Sequence, residues 1–240
     1  MDGARRFDEL WPGGPRFCTG EGSFRLSTDS VLLAAFVKNI RARRVLDLGC
    51  GAGVLTVLLS DARSGARVEG VELQAEQAAL CRENLRENGL SSGGVACGDL
   101  REYRALFPAG AYDLVVSNPP YFAQNSGLSA PDKRRAAARE ERFCTLPELC
   151  AAAKYLCRWG GSFAVVYRPE RLSELFCTMT ENGLEPKRLR MVQHRAAAAP
   201  SLVLVEARRG GRPGLTVEPP LLLTDGAGGD SPEIKTIYHR

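Results

Sequence analysis

The chain has 240 residues, 44% hydrophobic and 25% charged, which suits a single domain over 1–240 with a substantial core. No apolar run is long enough to span a bilayer, and the polar stretch Met1 to Trp11 lacks the apolar centre of a signal peptide, so a cytoplasmic location is expected. The net charge of +4 is modest but uneven: between Lys187 and Arg212 seven Lys and Arg accompany one acid, Glu206. A second basic group comprises Lys133, Arg134, Arg135, Arg139 and Arg142. Such patches suit a polyanionic partner or form a solvated charged face, and charge alone does not separate the two.

Residues 1–22 are rich in Arg, Gly and Pro and read as a loop segment with room for one short strand. Ser27 or Thr28 can cap a helix that continues through Val31 to Val37, and Asp29 suits the dipole of its first turn. That helix is apolar nearly all round, so burial is expected. Arg44 to Leu48 reads as a buried strand, followed by the turn Asp47-Leu48-Gly49-Cys50-Gly51-Ala52-Gly53 and a helix over Val54 to Ser60. A second strand, Val68 to Val71, delivers Glu72; a helix near Gln74 to Asn88 ends at Gly89. Val95 to Cys97 is a third strand, leading to Gly98-Asp99, and Tyr112 to Val116 is a fourth. Thr145-Leu146-Pro147-Glu148 has capping-box spacing and opens a helix to about Cys157. Gly160-Gly161 separates it from a strand over Phe163 to Tyr167. Pro169 opens the next helix, which Gly183 closes, and two strands follow near Arg188 to Gln193 and Leu202 to Ala207. This alternation predicts an α/β fold with a Rossmann-like, doubly wound sheet, mostly parallel with an antiparallel strand at its end. The tail Thr224 to Arg240 is Gly-rich and reads as flexible.

Two stretches carry chemistry. Ser117-Asn118-Pro119-Pro120-Tyr121 follows the fourth strand directly, and proline cannot continue a sheet ladder. The result is a rigid corner beyond a strand's C-terminal end, where open α/β sheets place ligands. Asn118 offers an amide, Pro119 a carbonyl and Tyr121 an aromatic face, a set able to hold a planar, amino-bearing group. The glycine turn lies between the first strand and its helix, so backbone can approach a ligand closely and helix N-terminal amides can favour negative groups. Its spacing is Gly49-x-Gly51-x-Gly53, which departs from the dinucleotide pattern, and no Walker lysine follows. Glu72 sits where an acid commonly accepts ribose hydroxyls. A nucleoside-like cofactor other than ATP or NAD is expected. None of the eight cysteines is spaced as Cys-x-x-Cys, which favours buried free thiols, and with only His194 and His239 available no metal site is expected.

In this order of motifs, residues 23–210 resemble the class I S-adenosylmethionine-dependent methyltransferases. The resemblance implies their seven-stranded sheet, S-adenosyl-L-methionine as cofactor, Glu72 on the ribose and Asp99 near the adenine amino group. The cofactor set it implies is Thr28, Asp29, Asp47, Gly49, Gly51, Gly53, Glu72, Asp99 and Asn118. Asn118-Pro119-Pro120-Tyr121 resembles the motif of enzymes that methylate planar nitrogens, with Asn118, Pro119 and Tyr121 as the catalytic set. Phe24 to Ala34, His194-Arg195 with Ala199-Pro200-Ser201, the run Leu202 to Gly211, and Pro219-Pro220-Leu221 are similar to the bacterial tRNA1(Val) adenine(37)-N6 methyltransferase group. That likeness implies a tRNA partner, N6-methylation of an adenosine, and acceptor contacts from Pro120, Tyr121, Lys133, Arg134, Arg135, His194 and Arg195. A monomer is the default. Protein-glutamine methyltransferases share the Asn-Pro-Pro-Tyr corner but usually carry a helical recognition domain ahead of the glycine loop, and only 46 residues precede Asp47 here. Ribosomal RNA or DNA adenine methylation, and a non-catalytic RNA-binding module, are further alternatives.

Overall fold

The computed structural model describes residues 6–18, 28–90, 93–119 and 144–240. Its strands are β1 (Phe7–Glu9), β2 (Arg16–Cys18), β3 (Arg44–Leu48), β4 (Arg67–Glu72), β5 (Val95–Cys97), β6 (Tyr112–Ser117), β7 (Cys157–Tyr167), β8 (Leu184–Gln193), β9 (Pro200–Arg209) and β10 (Thr216–Leu222). Its helices are α1 (Thr28–Val37), α2 (Val54–Asp61), α3 (Ala75–Glu87), α4 (Tyr103–Leu106), α5 (Leu146–Leu156), α6 (Leu172–Glu181) and α7 (Pro232–Ile237). The main sheet runs β10-β8-β9-β7-β6-β3-β4-β5, and β1-β2 form a separate antiparallel pair.

Strands β5, β4, β3, β6 and β7 are mutually parallel, whereas β9 is antiparallel to both β7 and β8. The central strands are buried on both faces, which is why Val-Leu-rich runs read as strands without alternation. Alternate residues still divide between faces. Leu46, Val115, Phe163 and Val165 pack with Leu149 of α5 and Met179 of α6. Val45, Leu114, Ala164 and Val166 pack with Leu32 and Leu33 of α1, Leu59 of α2 and Ile234 of α7.

The seven expected strands are present, with β9 as the antiparallel one, and an eighth, β10, lies beside β8. That strand was not expected, and it contains Pro219 and Pro220. On an outer edge, however, a missing N–H removes no ladder bond, and the register of β10 shifts between Glu218 and Leu221. The Gly160-Gly161 pair does not separate helix from strand as expected, because β7 already begins at Cys157. A Cβ on Gly161 would lie 3.1 Å from the carbonyl oxygens of both Tyr112 and Asp113, and the β6–β7 register breaks beside it, between Tyr112 and Leu114. The pair therefore marks an irregularity within the ladder.

The tail is also more structured than its glycines suggested. Ser231 accepts the Ile234 N–H at 3.2 Å and caps α7, and Ile234 is buried against the sheet. Trp11, from the loop after β1, stacks on His239 with ring centroids 4.8 Å apart and meets Tyr238 edge-on at 6.2 Å, so that loop and the residues after α7 close over one corner. Six cysteines are buried, Cys97 and Cys177 are exposed, and all eight are free thiols.

Candidate active site

A cavity of about 760 Å³ opens over the C-terminal ends of β4, β3, β6 and β7. That volume lies within the range of small-molecule sites, about 300 to 1,000 Å³. The glycine turn forms its floor. Gly49 and Cys50 each donate to the Val71 carbonyl, at 2.9 and 3.0 Å, which anchors the turn to β4. Gly51 has φ +54°, and open space lies where a Cβ would be, so the loop presents bare backbone to the cavity. Gly53 answers a different demand: its φ is +88° and a Cβ would lie 2.3 Å from Cys81 Sγ on α3. It serves helix packing and does not line the cavity.

Glu72 braces the turn. Its Oε2 accepts the Gly51 N–H at 3.0 Å and its Oε1 accepts the Gln74 N–H at 2.8 Å. Asp47, 1% exposed, accepts the Thr56 hydroxyl at 2.7 Å. Burial pushes its carboxyl up to about 7 despite that bond, and the negative charge of Glu72 adds to the rise. The Cys50 thiol is held well above its ordinary range by its hydrogen bond with Cys81 and by burial, so it is a packing group and not a nucleophile.

The opposite wall is the proline corner. Ser117 donates from Oγ to the Leu48 carbonyl at 2.8 Å, fastening the end of β6 to the end of β3. Asn118 then turns its Nδ2 to Ser30 Oγ on α1, 3.0 Å away, and Pro119 is buried behind it. Gln77 of α3 also lines the cavity, and its Oε1 is buried without a hydrogen-bond partner. A bare glycine cradle, an orphaned amide oxygen and buried acids together fit a hydroxyl-bearing, cationic nucleoside ligand.

Of the residues singled out by sequence, Asp29, Asp47, Gly49, Gly51, Glu72, Asn118 and Pro119 line this one cavity. Thr28, Gly53 and Asp99 do not. Thr28 hydrogen-bonds Tyr238. Asp99 is captured by Arg101, whose backbone N–H lies 2.9 Å away and whose guanidinium, with a second contact of 2.9 Å, holds the carboxyl below its usual range. Its neighbours Gly98 and Leu100 line the cavity in its place. His194 and Arg195 are exposed in the β8–β9 turn, on the same sheet edge but beyond β7 and β9 from Asn118. Pro120, Tyr121, Lys133, Arg134 and Arg135 lie outside the described residues. Ser30, Gln77 and Arg168, which no sequence motif marks, also stand in the cavity wall.

Among the described residues no group of His, Cys, Asp and Glu could hold a metal ion, and no helix is long and apolar enough to cross a membrane.

The Parabacteroides distasonis tRNA1(Val) (adenine(37)-N6)-methyltransferase is 31% identical over 185 residues, covering 77% of this chain and 76% of the relative. The Aeromonas salmonicida protein of the same name is 31% identical over 78% of each chain. In fold, the crystal structure of Atu636 from Agrobacterium tumefaciens, a predicted O-methyltransferase, superposes with a TM-score of 0.72 at 23% identity, covering 88% of this chain and 96% of that one. The family model of the methyltransferase small domain matches residues 22–174, which span the glycine turn, Glu72 and the Asn118 corner, and the chain belongs to that family.

Proposed function

We propose that this S-adenosylmethionine-dependent N-methyltransferase methylates N6 of an adenosine in tRNA, the adenosine just 3′ of the anticodon of a valine tRNA. The observation that carries the reading is the Asn118 amide, held by Ser30 at the corner that closes the cavity. The names of the relatives supply the acceptor.

When bound, S-adenosylmethionine supplies an electrophilic methyl group. Gly49, Gly51 and Asp47 are the residues that would hold it, and Glu72, with two of its acceptor positions used by backbone amides, keeps others for ribose hydroxyls. The exocyclic amine of adenine is a poor nucleophile because its lone pair is delocalised into the ring. Asn118 Oδ1 and the Pro119 carbonyl would accept the two amine hydrogens and draw the nitrogen toward tetrahedral geometry, which frees the lone pair. Tyr121 would stack on the base. Positioning then provides most of the rate, and no strong base is required, because the methylated amine is acidic and releases its proton to solvent. The adenine must leave its stack, which costs least in a single-stranded loop. Lys133, Arg134, Arg135, His194 and Arg195 would contact RNA backbone around it, in the cytoplasm where tRNA is modified.

The test is incubation with methyl-labelled S-adenosylmethionine and, separately, unmodified tRNA, ribosomal RNA and a release factor. Label recovered from tRNA as N6-methyladenosine is expected. Label in the release factor would move the function to glutamine methylation at the same corner.

A further inference from the structure

A second cavity lies at the other ends of the strands. It is a cleft of about 630 Å³ between the residues that follow α1 and α2 and the starts of β3 and β4. Strand β3 has five residues, so at about 3.3 Å per residue roughly 17 Å of sheet separates the cleft from the glycine turn. A ligand held here is not the cofactor.

The charge of the cleft is one-sided. Lys38, Arg41, Arg43 and Arg63 line it, and Asp113 is the one acid among the described lining residues. Asp113 is already engaged: Oδ2 accepts the Arg43 and Arg44 N–H groups at 2.8 and 3.0 Å, and Oδ1 accepts Arg158 Nε at 2.6 Å. None of the four lining cations forms an ion pair among the described residues. Lys38, Arg41 and Arg43 are exposed. Arg63 donates from Nη2 to the Val37 carbonyl at 2.7 Å, while its Nε and Nη1 are buried without an acceptor. Burial, with no acid opposite, holds its pKa below the ordinary value, as expected of a cation that lacks counter-charge. An anion in the cleft would supply that charge.

The Asp113–Arg158 pair leads from the cleft to Trp159. Trp159 is 74% exposed, and its ring lies against Gly210, where a Cβ would come within 2.4 Å of it. An open aromatic face beside unpaired cations is the combination by which single-stranded nucleic acid is held, with bases stacked and phosphates gripped. A free phosphate would use the cations and leave the ring bare. The basic run from Lys187 to Arg212, by contrast, is partly used up within the fold, Arg188 by Glu206 and Glu218 and Arg190 by Glu233.

We propose that this edge of the sheet is a second RNA-binding surface, where the acceptor RNA lays backbone phosphates in the cleft at Lys38, Arg41, Arg43 and Arg63 and stacks an unpaired base on Trp159, away from the nucleotide that is methylated. The inference rests on reading the acceptor as RNA.

The test measures binding of unmodified tRNA across a salt series for the wild type, a cleft variant carrying Arg41→Gln with Arg43→Gln, Trp159→Ala, and a charge-matched control carrying Arg86→Gln with Lys235→Gln, two exposed residues on α3 and α7. Calorimetric binding of S-adenosylmethionine and of inorganic phosphate runs alongside. The cleft variant is expected to bind tRNA about tenfold more weakly at low salt, with the log–log salt slope shallower by about 1.4 to 1.8, the share of two phosphate contacts. Trp159→Ala should bind at least about fivefold more weakly with its slope unchanged, the lower range for one stacked base. The control should keep the wild-type slope, and the cofactor Kd should stay within about twofold throughout, which also reports a folded protein. An unchanged slope in the cleft variant, an equal change in the control, or an unchanged affinity in Trp159→Ala, with tRNA still methylated by the wild type, would overturn the proposal and leave the N6 reading standing. Saturable phosphate binding that the cleft variant loses while its tRNA binding stays at the wild-type level would overturn it too, by assigning the cleft to a free anion. Both expected losses, with tRNA left unmethylated by the wild type, would support the surface and remove the N6 reading.

Discussion

Asn118 and Ser30 are 88 positions apart in the chain, yet the Asn118 amide nitrogen donates to the Ser30 hydroxyl at 3.0 Å. This bond sets the sense of the amide: its nitrogen end faces α1 and its oxygen end is opposite. In the proposed mechanism the oxygen is the reactive acceptor, so Ser30 is a positioning residue. Ser30→Ala is expected to lower kcat about tenfold with the KM for cofactor unchanged. Because the two residues act as a unit, the double variant with Asn118→Ala should be no slower than Asn118→Ala alone; additive losses would show that Ser30 acts elsewhere.

Glu72 holds the Gly51 and Gln74 amides. Glu72→Gln turns one acceptor into a donor facing an N–H, which the loop cannot satisfy. Calorimetry should show cofactor affinity falling by about tenfold or more while tRNA affinity is kept. Equal weakening of both ligands would mean the loop had collapsed.

Asp47 gives the site a pH dependence whose sign follows from its raised pKa. The folded protein keeps this proton up to about pH 7, whereas the unfolded chain releases it near 3.8. Between those values the folded state binds more protons, so this carboxyl's contribution falls as pH rises, by up to about 4 kcal/mol. Denaturant midpoints for Asp47→Asn should vary less across that window than those of the wild type. A cationic ligand in the cavity favours the carboxylate, so binding S-adenosylmethionine near pH 6.5 should release protons, read as a buffer-dependent binding enthalpy that Asp47→Asn lacks.

Gly53 packs its backbone against α3. A methyl group there would meet Cys81 Sγ at 2.3 Å, on a backbone with φ +88°. Gly53→Ala should cost roughly 2 to 4 kcal/mol in urea denaturation, the sum of overpacking and a left-handed alanine. Adding Cys81→Ala should restore part of that loss, because the Sγ contact goes and the strain at φ stays. No restoration would place the whole cost in the backbone.

Part of the cavity wall was legible because its pattern is local: Asp47, Gly49, Gly51 and Glu72 each sit within a few residues of a strand end, and seven strands announced themselves by apolar runs. What escaped was set by tertiary context. The strand β10 carries Pro219-Pro220, a pair tolerable only because it lies on the sheet's outer edge. Gly160-Gly161 reads as a linker, and only the close carbonyls of Tyr112 and Asp113 make it part of a ladder. Asp99 follows β5, as expected, but Arg101 takes up its carboxylate. Ser30 meets Asn118 across 88 positions and Arg168 has no motif around it, so neither left a local pattern strong enough to read.

The proposed reaction takes place at the Asn118 corner, and its most direct test is single-turnover methyl transfer to unmodified valine tRNA by the wild type and Asn118→Ala, with S-adenosylmethionine binding measured on the same preparations. The expected result is cofactor affinity within about twofold and a transfer rate lower by about 10²- to 10³-fold, the scale of losing one hydrogen-bonding group aimed at the reacting atoms. A variant that binds cofactor normally and still transfers the methyl group at the wild-type rate would contradict the account.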